Sequence, residues 1–318
     1  MLDLAAVVAR NPQLQEMLGT PGYPLPRVTE LHLADAALLE RCGVQVSGNA
    51  EANEIWLAPG MNKYNLHLDF GLQSGNLVVI EPSPYVNGRI AFRRNDGTVI
   101  LCEAEYAHLN VDFIAHGGAL YVGPKCYIGG VTAWVGGPGQ AMLFGEDCMT
   151  GWDVKLRTAD FHGVFDLSSR TVVNEPEHTI VGPHVWLAHD VLVMKGARIG
   201  AGTTVGARST VVRSLPPRSL AVGVPAKVVR SGVSWSKSDQ PSAEDMDEIA
   251  RRPYMRPEEH LAVVRHVEPN WFGRLRQWLV SPPLDRVSGE DALPQPQRRG
   301  LTIEPRSLGT GDGAHQLR

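Results

Sequence analysis

The chain has 318 residues, 43% of them hydrophobic, and a net charge of −4 at neutral pH. This length can bury a sizeable core in one or two domains, and the charge gives no reason to expect a nucleic-acid partner. The start lacks the basic region and apolar core of a signal peptide, and no apolar stretch approaches the roughly 18 residues of a membrane span. Four scattered cysteines without a C-x-x-C pair indicate neither a disulfide framework nor a zinc ribbon. We therefore expect a reduced, cytoplasmic protein.

Residues 1–52 are predicted to form an N-terminal cap, with short helices around residues 4–17 and 34–41. From residue 53 to about 120, alternating segments such as LVVI, RIAF and TVILCEAE indicate strands. The 33 glycines and 23 prolines, against 7% aromatic residues, favour short strands and tight corners over long helices. We interpret residues 53–120 as irregular early coils of a larger β-domain that extends to residue 230.

A six-residue repeat dominates the following segment, which reads VGPHVW, LAHDVL, VMKGAR, IGAGTT and VGARST from Val181. The first position of each unit is aliphatic, at Val181, Leu187, Val193, Ile199, Val205 and Val211. The fifth is small or β-branched, at Val185, Val191, Ala197, Thr203 and Ser209. Three such units close a triangular coil around the aliphatic side chains, and coils stack as parallel strands about 4.8 Å apart. A period of six matches neither a helix nor a single strand, so the pattern predicts a parallel β-helix.

The same phase continues upstream in a more ragged form, with first positions at Val122, Ile128, Phe144, Thr150 and Leu156. A glycine-rich break, WVGGPGQ, interrupts these units. Residues 162–179 interrupt the six-residue repeat between two regular runs, which predicts a loop extruded from a corner of the coil. Loops on rigid scaffolds often carry function.

The repeat stops after residue 230, and residues 231–318 are predicted to form an extension that is helical in part and then disordered. A charged helix is expected over residues 244–267 with a break near Pro253, followed by a short amphipathic helix, NWFGRLRQWLV, at residues 270–280. From residue 281 the composition is rich in Pro, Gly and Arg, which is typical of disorder. The amphipathic helix could contact a membrane surface weakly, bind another enzyme of a pathway, or pack on this protein.

Residues 181–230 resemble the hexapeptide-repeat acyltransferases, particularly the sugar and capsular-polysaccharide O-acetyltransferases. The resemblance rests on the phased repeat and on the closing PPRSLAVGVPAKVVR, in which Val224 replaces the family's Asn. A second shared motif is RTADFHGVFD, which is similar to the family's Asp-x-His segment before an extruded loop. The likeness is close over residues 144–230 and looser back to residue 53. It does not cover the cap or the extension.

The resemblance implies an all-β fold with a left-handed parallel β-helix, and a homotrimer with active sites between subunits. It also implies transfer of an acyl group, which we expect to be acetyl, from acyl-CoA to a hydroxyl of a sugar or polysaccharide precursor. Acetyl-CoA would be a co-substrate, with no permanently bound cofactor. An amine or another alcohol as acceptor stays open.

His162 is the candidate general base, because a hydroxyl attacks a thioester only while its proton is being removed. Histidine suits this role since its ordinary pKa lies near neutral pH. The resemblance assigns the role to His162, the last residue of the Asp-x-His motif. The plainer alternative is that His162 is a solvated residue or caps a turn. Asp160, Asp166 and Glu175 could each orient the imidazole, and the sequence does not choose among them. Asp160 occupies a fifth position and could instead point inward.

Trp186 and His189 complete the implied chemistry. The resemblance assigns Trp186 to a flat wall at the acceptor or acyl end of the pocket, where it also borders the cofactor, although ordinary packing between coils would explain it too. It assigns the backbone N–H of His189 to the oxyanion of the tetrahedral intermediate. The imidazole of His189 has no counterpart in the family and receives no role.

The implied coenzyme A site lies further along the coil. By resemblance, Ala207 and Val212 line the pantetheine arm, while Arg213, Lys227 and Arg230 supply positive charge to the phosphates. Each cation alone could equally be a solvated surface residue.

Two rival functions remain open at this point. A γ-class carbonic anhydrase shares the coil and holds zinc with three histidines. His184 and His189 have a fitting offset, but Cys148 stands near the place of the third ligand and His116 comes far too early, so no metal is expected. A non-catalytic scaffold or ligand-binding protein is the second rival, because fold alone does not fix function.

Overall fold

The computed structural model describes residues 2–27, 31–58 and 64–255. The chain divides into two compact units, Met1–Val267 and Glu268–Arg318. The second unit, with the amphipathic helix and the disorder predicted from residue 270 onward, lies outside the described residues.

The helices are short and capped by polar side chains. They are α1 (Leu4–Ala9), α2 (Pro12–Met17), α3 (Ala36–Cys42) and α4 (Ala243–Arg251), with single 3₁₀ turns at Ala50–Ala52 and Pro253–Met255. The helix expected over residues 4–17 is two helices, because the side chain of Asn11 accepts hydrogen bonds from the amides of Gln13 and Leu14 and starts α2 afresh. The break expected near Pro253 is confirmed, and residues 256–267 of that predicted helix are outside the described chain.

The strands are named here in chain order. They are β1 (His32–Leu33), β2 (Val44–Ser47), β3 (Glu54–Leu57), β4 (Asn65–Asp69), β5 (Leu77–Ile80), β6 (Val86–Phe92), β7 (Thr98–Leu101), β8 (Tyr106–Phe113), β9 (Ala119–Val122), β10 (Tyr127–Val135), β11 (Ala141–Phe144), β12 (Met149–Thr150), β13 (Val154–Arg157), β14 (Thr179–Val181), β15 (Trp186–Leu187), β16 (Leu192–Val193), β17 (Arg198–Ile199), β18 (Thr204–Val205), β19 (Thr210–Val211), β20 (Ser219–Val222) and β21 (Lys227–Ser231).

These strands form the three faces of a prism. Face A contains β1, β3, β5, β7, β9, β11, β14 and β17. Face B contains β2, β4, β6, β8, β10, β12, β15, β18, β20 and β21. Face C is formed by the second halves of the long strands β6, β8 and β10, which pair with one another, and it continues through β13, β16 and β19. Apart from β1 and β21, which pair antiparallel at opposite ends, the pairing is parallel, so the chain forms the predicted parallel β-helix.

Two sizes of coil make up the stack. In the C-terminal part, paired residues lie 18 positions apart, as in Trp186↔Thr204 and Leu192↔Thr210, which equals three six-residue units. In the earlier part, the spacing is about 21, as in Val78↔Val99 and Val99↔Leu120. The first positions of the six-residue units are buried, and so are the fifth positions from Val185 to Ser209, as the repeat predicted. The fifth position Asp160 is only partly buried and pairs with Lys195, so it does not point into the core. The stack of parallel strands begins with β2, ahead of the boundary expected at residue 53.

The N-terminal segment covers two different surfaces. Leu38 and Cys42 of α3 join the interior core, so this helix plugs the first coil. The segment with α1 and α2 instead packs its apolar side chains on the outside of face A, where it buries strand residues such as Val79 and Ile100. Face A is therefore covered by the chain itself.

Beyond β21, residues 233–255 form what we call the strap, which packs along the corner between faces A and B. The indole of Trp235 stacks on the ring of His184, with centroids 4.4 Å apart, and its Nε1 donates to the His184 carbonyl at 2.7 Å. Arg252 and Lys237 pair with the carboxylate of Asp147 on the same corner. Within the described ranges, no helix is long and apolar enough to cross a membrane.

Candidate active site

The predicted loop leaves the prism at the corner between faces C and A. Its neck is closed by a hydrogen bond from the amide of Glu177 to the carbonyl of Thr158, 3.0 Å long. Beyond the neck the chain forms a small hairpin in which Phe165 and Val172 pair, and the amide of Val173 donates to the carbonyl of Val164. The extruded loop is thus an ordered arm with a narrow base.

His162 stands on this arm beside the neck, and Asn174 fixes the backbone around it. The amide group of Asn174 donates to the His162 carbonyl at 2.9 Å and to Oδ2 of Asp160 at 3.0 Å, while its oxygen accepts from the amide of Val164. The residue is exposed, and its imidazole has no hydrogen-bond partner in the described part of the chain. Both ring nitrogens are therefore open to a substrate.

A glycine of the WVGGPGQ break makes room for this arrangement. A Cβ at Gly136 would come within 2.4 Å of the ring of Phe161, the residue before His162. The amide and carbonyl of Gly136 also exchange hydrogen bonds with the hydroxyl of Thr158 at the neck. The break in the repeat is therefore the surface on which the base of the arm rests.

The candidate carboxylates have other partners. Asp160 forms an ion pair with Lys195 (3.4 Å), and Lys195 also donates to the carbonyl of Glu175 (2.8 Å), so one lysine holds both sides of the arm. Asp166 accepts hydrogen bonds from Ser168 and Ser169, which lower its pKa to about 2. It organises the tip of the hairpin. In residues 2–27, 31–58 and 64–255, no carboxylate bonds to the imidazole of His162.

Trp186 lies on face B, and His189 lies at the corner between faces B and C. The Trp186 side chain points outward and tilts against Trp235, with ring centroids 6.1 Å apart. The backbone N–H of His189 has no acceptor among the described residues, and Gly151 keeps its surroundings open, since a Cβ there would lie 2.8 Å from the nitrogen. The His189 imidazole, unassigned from sequence, accepts at Nδ1 from the amide of Trp152 (3.3 Å).

His184 has a structural role that sequence spacing did not predict. Its Nδ1 bonds to Oδ2 of Asp147 (2.7 Å) and its Nε2 to the carbonyl of Trp235 (3.0 Å). Both ring nitrogens are engaged, so His184 and His189 do not make the metal-binding pair that a carbonic anhydrase needs. Among the residues described, no group of three or more His, Cys, Asp and Glu side chains is arranged to hold a metal ion.

The candidate coenzyme A residues gather toward the C-terminal end of the prism. Ala207 lies in the turn above His189, joined through the amide of Arg208 to the His189 carbonyl (2.9 Å). Val212 and Arg213 follow β19, and the hairpin turn of β20 and β21 is tied to β19 by the amide of Ala226. Lys227 and Arg230 lie on β21, which is exposed along its whole length.

One chain does not bring every candidate together. His162 lies on the arm that leaves the corner between faces C and A, whereas Trp186 lies on face B, in β15. Sequence reasoning also missed Asn174, Lys195 and Trp235. Asn174 lies inside the interruption of the repeat, and Lys195 lies in a regular unit beyond it, so neither position marked its residue as a partner of Asp160. Trp235 lies just beyond the repeat and gave no periodic signal.

A prism of stacked parallel coils with an arm extruded at one corner is the architecture that the resemblance to hexapeptide-repeat acyltransferases implied. No family model matches the sequence. The chain is 30% identical over 99 residues to a polysialic acid O-acetyltransferase of Escherichia coli O1:K1 / APEC, covering 31% of this chain and 32% of that protein. It is 36% identical over 105 residues to a putative colanic acid biosynthesis acetyltransferase, WcaF, of Escherichia coli K12, covering 33% and 58%.

The chain therefore spans about a third of the first of these curated relatives and less than two thirds of the second. Among solved structures, it is similar to the polySia-specific acetyltransferase NeuO, with a TM-score of 0.53 and 22% identity over 67% of this chain and 99% of that one. This likeness gives the fold as the left-handed parallel β-helix. Together the comparisons confirm the resemblance to hexapeptide-repeat acyltransferases.

Proposed function

We propose that this protein transfers an acetyl group from acetyl-CoA to a hydroxyl of a sugar in a polysaccharide or its precursor. The observation that carries the proposal is the exposed imidazole of His162, which has no hydrogen-bond partner among the described residues, on an arm whose backbone Asn174 fastens. The names of the two curated relatives, one acting on polysialic acid and one connected with colanic acid biosynthesis, support a carbohydrate acceptor.

In the proposed reaction His162 accepts the proton of the acceptor hydroxyl as its oxygen attacks the thioester carbon. The carbonyl oxygen becomes an oxyanion, and the backbone N–H of His189 stabilises it. The intermediate then collapses, the C–S bond breaks, and the thiol of coenzyme A leaves with the proton that the imidazolium returns. The products are the acetyl ester and free coenzyme A, with His162 neutral again.

We place the pantetheine arm of coenzyme A along Ala207 and Val212, with its phosphates near Arg213, Lys227 and Arg230. The exposure of all three cations at one end of the prism supports this assignment, because phosphates attract exposed Arg and Lys side chains. Trp186 would form the wall between the acetyl group and the acceptor. Its outward orientation and its contact with Trp235 support a fixed wall.

We further propose that the site is completed between neighbouring subunits of a homotrimer. His162 lies on the arm at the corner between faces C and A, whereas Trp186 lies on face B, so we assign the His162 and Trp186 of one site to neighbouring subunits. A neighbouring copy would bring its Trp186 to the arm of the first. This arrangement is the one that the family resemblance implies.

The test is acceptor-dependent thiol release from acetyl-CoA, with a panel of sugars and bacterial polysaccharides as acceptors. We expect His162→Ala to lower the rate by roughly 100-fold or more, the usual effect of losing a general base. His116→Ala, which removes another exposed loop histidine, is the matched control and should retain activity. Wild-type protein that binds no acetyl-CoA would overturn the proposal in favour of a scaffold.

A further inference from the structure

Three tyrosines form an exposed column on face B. Tyr85, Tyr106 and Tyr127 recur 21 residues apart, so each falls at the same position of successive early coils. The ring centroids of Tyr85 and Tyr106 are 6.2 Å apart, and those of Tyr106 and Tyr127 are 5.2 Å apart. Tyr85 is 58% exposed and Tyr127 40% exposed, and Tyr106 between them is half-buried.

The column leads to the candidate active site. Tyr127 pairs in register with Met149 in the next coil, and Met149 pairs with Trp186. Each of the three tyrosines, Met149 and Trp186 is followed by a buried residue: Val86, Ala107, Ile128, Thr150 and Leu187. Because successive side chains on a strand point to opposite faces, the tyrosines, Met149 and Trp186 point away from the prism. A line of outward side chains therefore runs from Tyr85 up the stack to the proposed acceptor wall.

Packing among the described residues does not explain the exposed faces of these rings. The phenol hydroxyls of the three tyrosines have no hydrogen-bond partner in the ranges 2–27, 31–58 and 64–255. A row of exposed aromatic rings keeps apolar surface in water, which a chain maintains at a cost unless something binds there. Face A, by contrast, has its outward apolar residues covered by the N-terminal segment.

Polar groups border the column on both sides. Asn87 and His108, paired in register, are the next outward residues along β6 and β8. On the other side, Lys237 of the strap donates to the carboxylate of Glu105 (2.7 Å) and to the carbonyl of Lys125. Amide, imidazole and charged groups can bond hydroxyls, while aromatic faces pack against apolar C–H surfaces. A chain of sugar rings presents both kinds of group.

We propose that Tyr85, Tyr106 and Tyr127 are a docking track for an extended glycan, whose successive sugar rings stack on the tyrosines and lead the reacting unit to Trp186. The inference rests on the proposed function and deepens it, because it makes the acceptor a polymer rather than a single sugar. The polar borders favour a glycan over a second copy of this chain, since the centre of a stable subunit interface is depleted of charged groups.

The experiment measures direct binding to an array of bacterial surface polysaccharides and their size-graded oligosaccharides, by the full-length wild-type protein and by variants. We expect wild-type binding to strengthen with glycan length, and Tyr106→Ala to weaken binding to long glycans by about tenfold, the loss expected for one stacking contact. Tyr106→Phe keeps the ring and should retain most of the binding. Leu72→Ala, which removes an exposed apolar side chain elsewhere, should retain all of it.

The track is overturned if the wild type binds no glycan on the array, if binding does not depend on length, or if Tyr106→Ala and Leu72→Ala bind equally. It is also overturned if Tyr106→Ala changes the mass of the assembly measured by light scattering, because the column would then be an interface between copies. The proposed function fails separately. Length-dependent glycan binding without thiol release from acetyl-CoA would refute the enzyme but leave the track in place.

Discussion

The two sizes of coil solve the same packing problem with different residues. In the 18-residue coils, aliphatic first positions fill the interior, and corners turn through residues in the left-handed region such as Asp190 and Arg208. In the wide early coils, three stacked rings, Phe70, Phe92 and Phe113, share the interior with aliphatic residues. Three extra residues per coil enlarge the cross-section, and an aromatic ring is the side chain that fills the added volume.

The corners differ as well. At one corner of the wide coils, the side-chain oxygen of Asn53 accepts from the backbone and side-chain nitrogens of Asn76. The oxygen of Asn76 in turn accepts from the amide of Gly97 in the next coil, and Asn76 is only 1% exposed. The wide coils also turn through left-handed residues, since Asp96 has a φ of 64°, but they add these buried side-chain hydrogen bonds at the same corner.

The largest difference between the regions should appear on truncating the interior. Phe92→Ala removes the middle ring of the stack and should lower the free energy of unfolding by about 4 kcal/mol, because a large cavity remains. Val193→Ala in a regular coil should cost about 2 kcal/mol, since it loses two methyl groups. Urea unfolding followed by circular dichroism at fixed protein concentration measures both. Equal losses would show that the rings are not the main filling of the wide coils.

The strap spans both regions, since Lys237 contacts the wide coils while Trp235 and Arg252 contact the regular ones. Burial alone would raise the pKa of Asp147, but hydrogen bonds and charge from His184 and Arg252 outweigh it and lower the pKa to about 2. A lowered carboxyl pKa means that the ionised group stabilises the fold above its ordinary pKa of 3.8. This contribution is lost as the pH falls from about 5 through 2.

Asp147→Asn should therefore lower the free energy of unfolding by about 2 kcal/mol at neutral pH, the usual contribution of a hydrogen bond to a buried charged group. Hydrogen exchange of residues 233–255 measures the effect: the wild-type strap should open only toward pH 2–3, and the variant strap already at pH 7. Asp190→Asn is the matched control. Asp190 lies at a similar corner but is exposed, and its ion pairs with Lys155 and Arg208 are long, at 3.5 and 3.8 Å. A strap that exchanges equally in both variants would contradict this account.

The smallest effect concerns the corners of the regular coils. Arg208 has a φ of 59°, a conformation that costs most side chains energy and that asparagine tolerates well. Arg208→Asn should raise the stability by about 0.5 kcal/mol. Arg213→Asn removes an exposed arginine without positive φ and should bring no gain. The difference is measured as a shift of the urea midpoint, and a loss at Arg208 would show that its side chain, not its backbone, sets the corner.

The sequence predicted the regular coils well because each six-residue unit repeats the same local solution, from Val181 to Val211. It predicted the arm from the interruption of that pattern. It could not give the pairing of β2 with β4 or the diameter of the wide coils, because those depend on contacts between residues far apart in the chain. The partners of Asp160 and the burial of His184 were hidden for the same reason: Lys195 and Trp235 reach them only after the coil has closed.

The two antiparallel strands have a consequence for how these molecules behave in solution. A stack of parallel strands presents unpaired backbone groups at both ends, and such edges can add further strands and grow into fibres. Here β1 reverses direction at one end of face A and β21 at the opposite end of face B. Each reversal ends the parallel register that another molecule would have to continue. The short terminal strands are therefore a built-in protection against end-to-end aggregation.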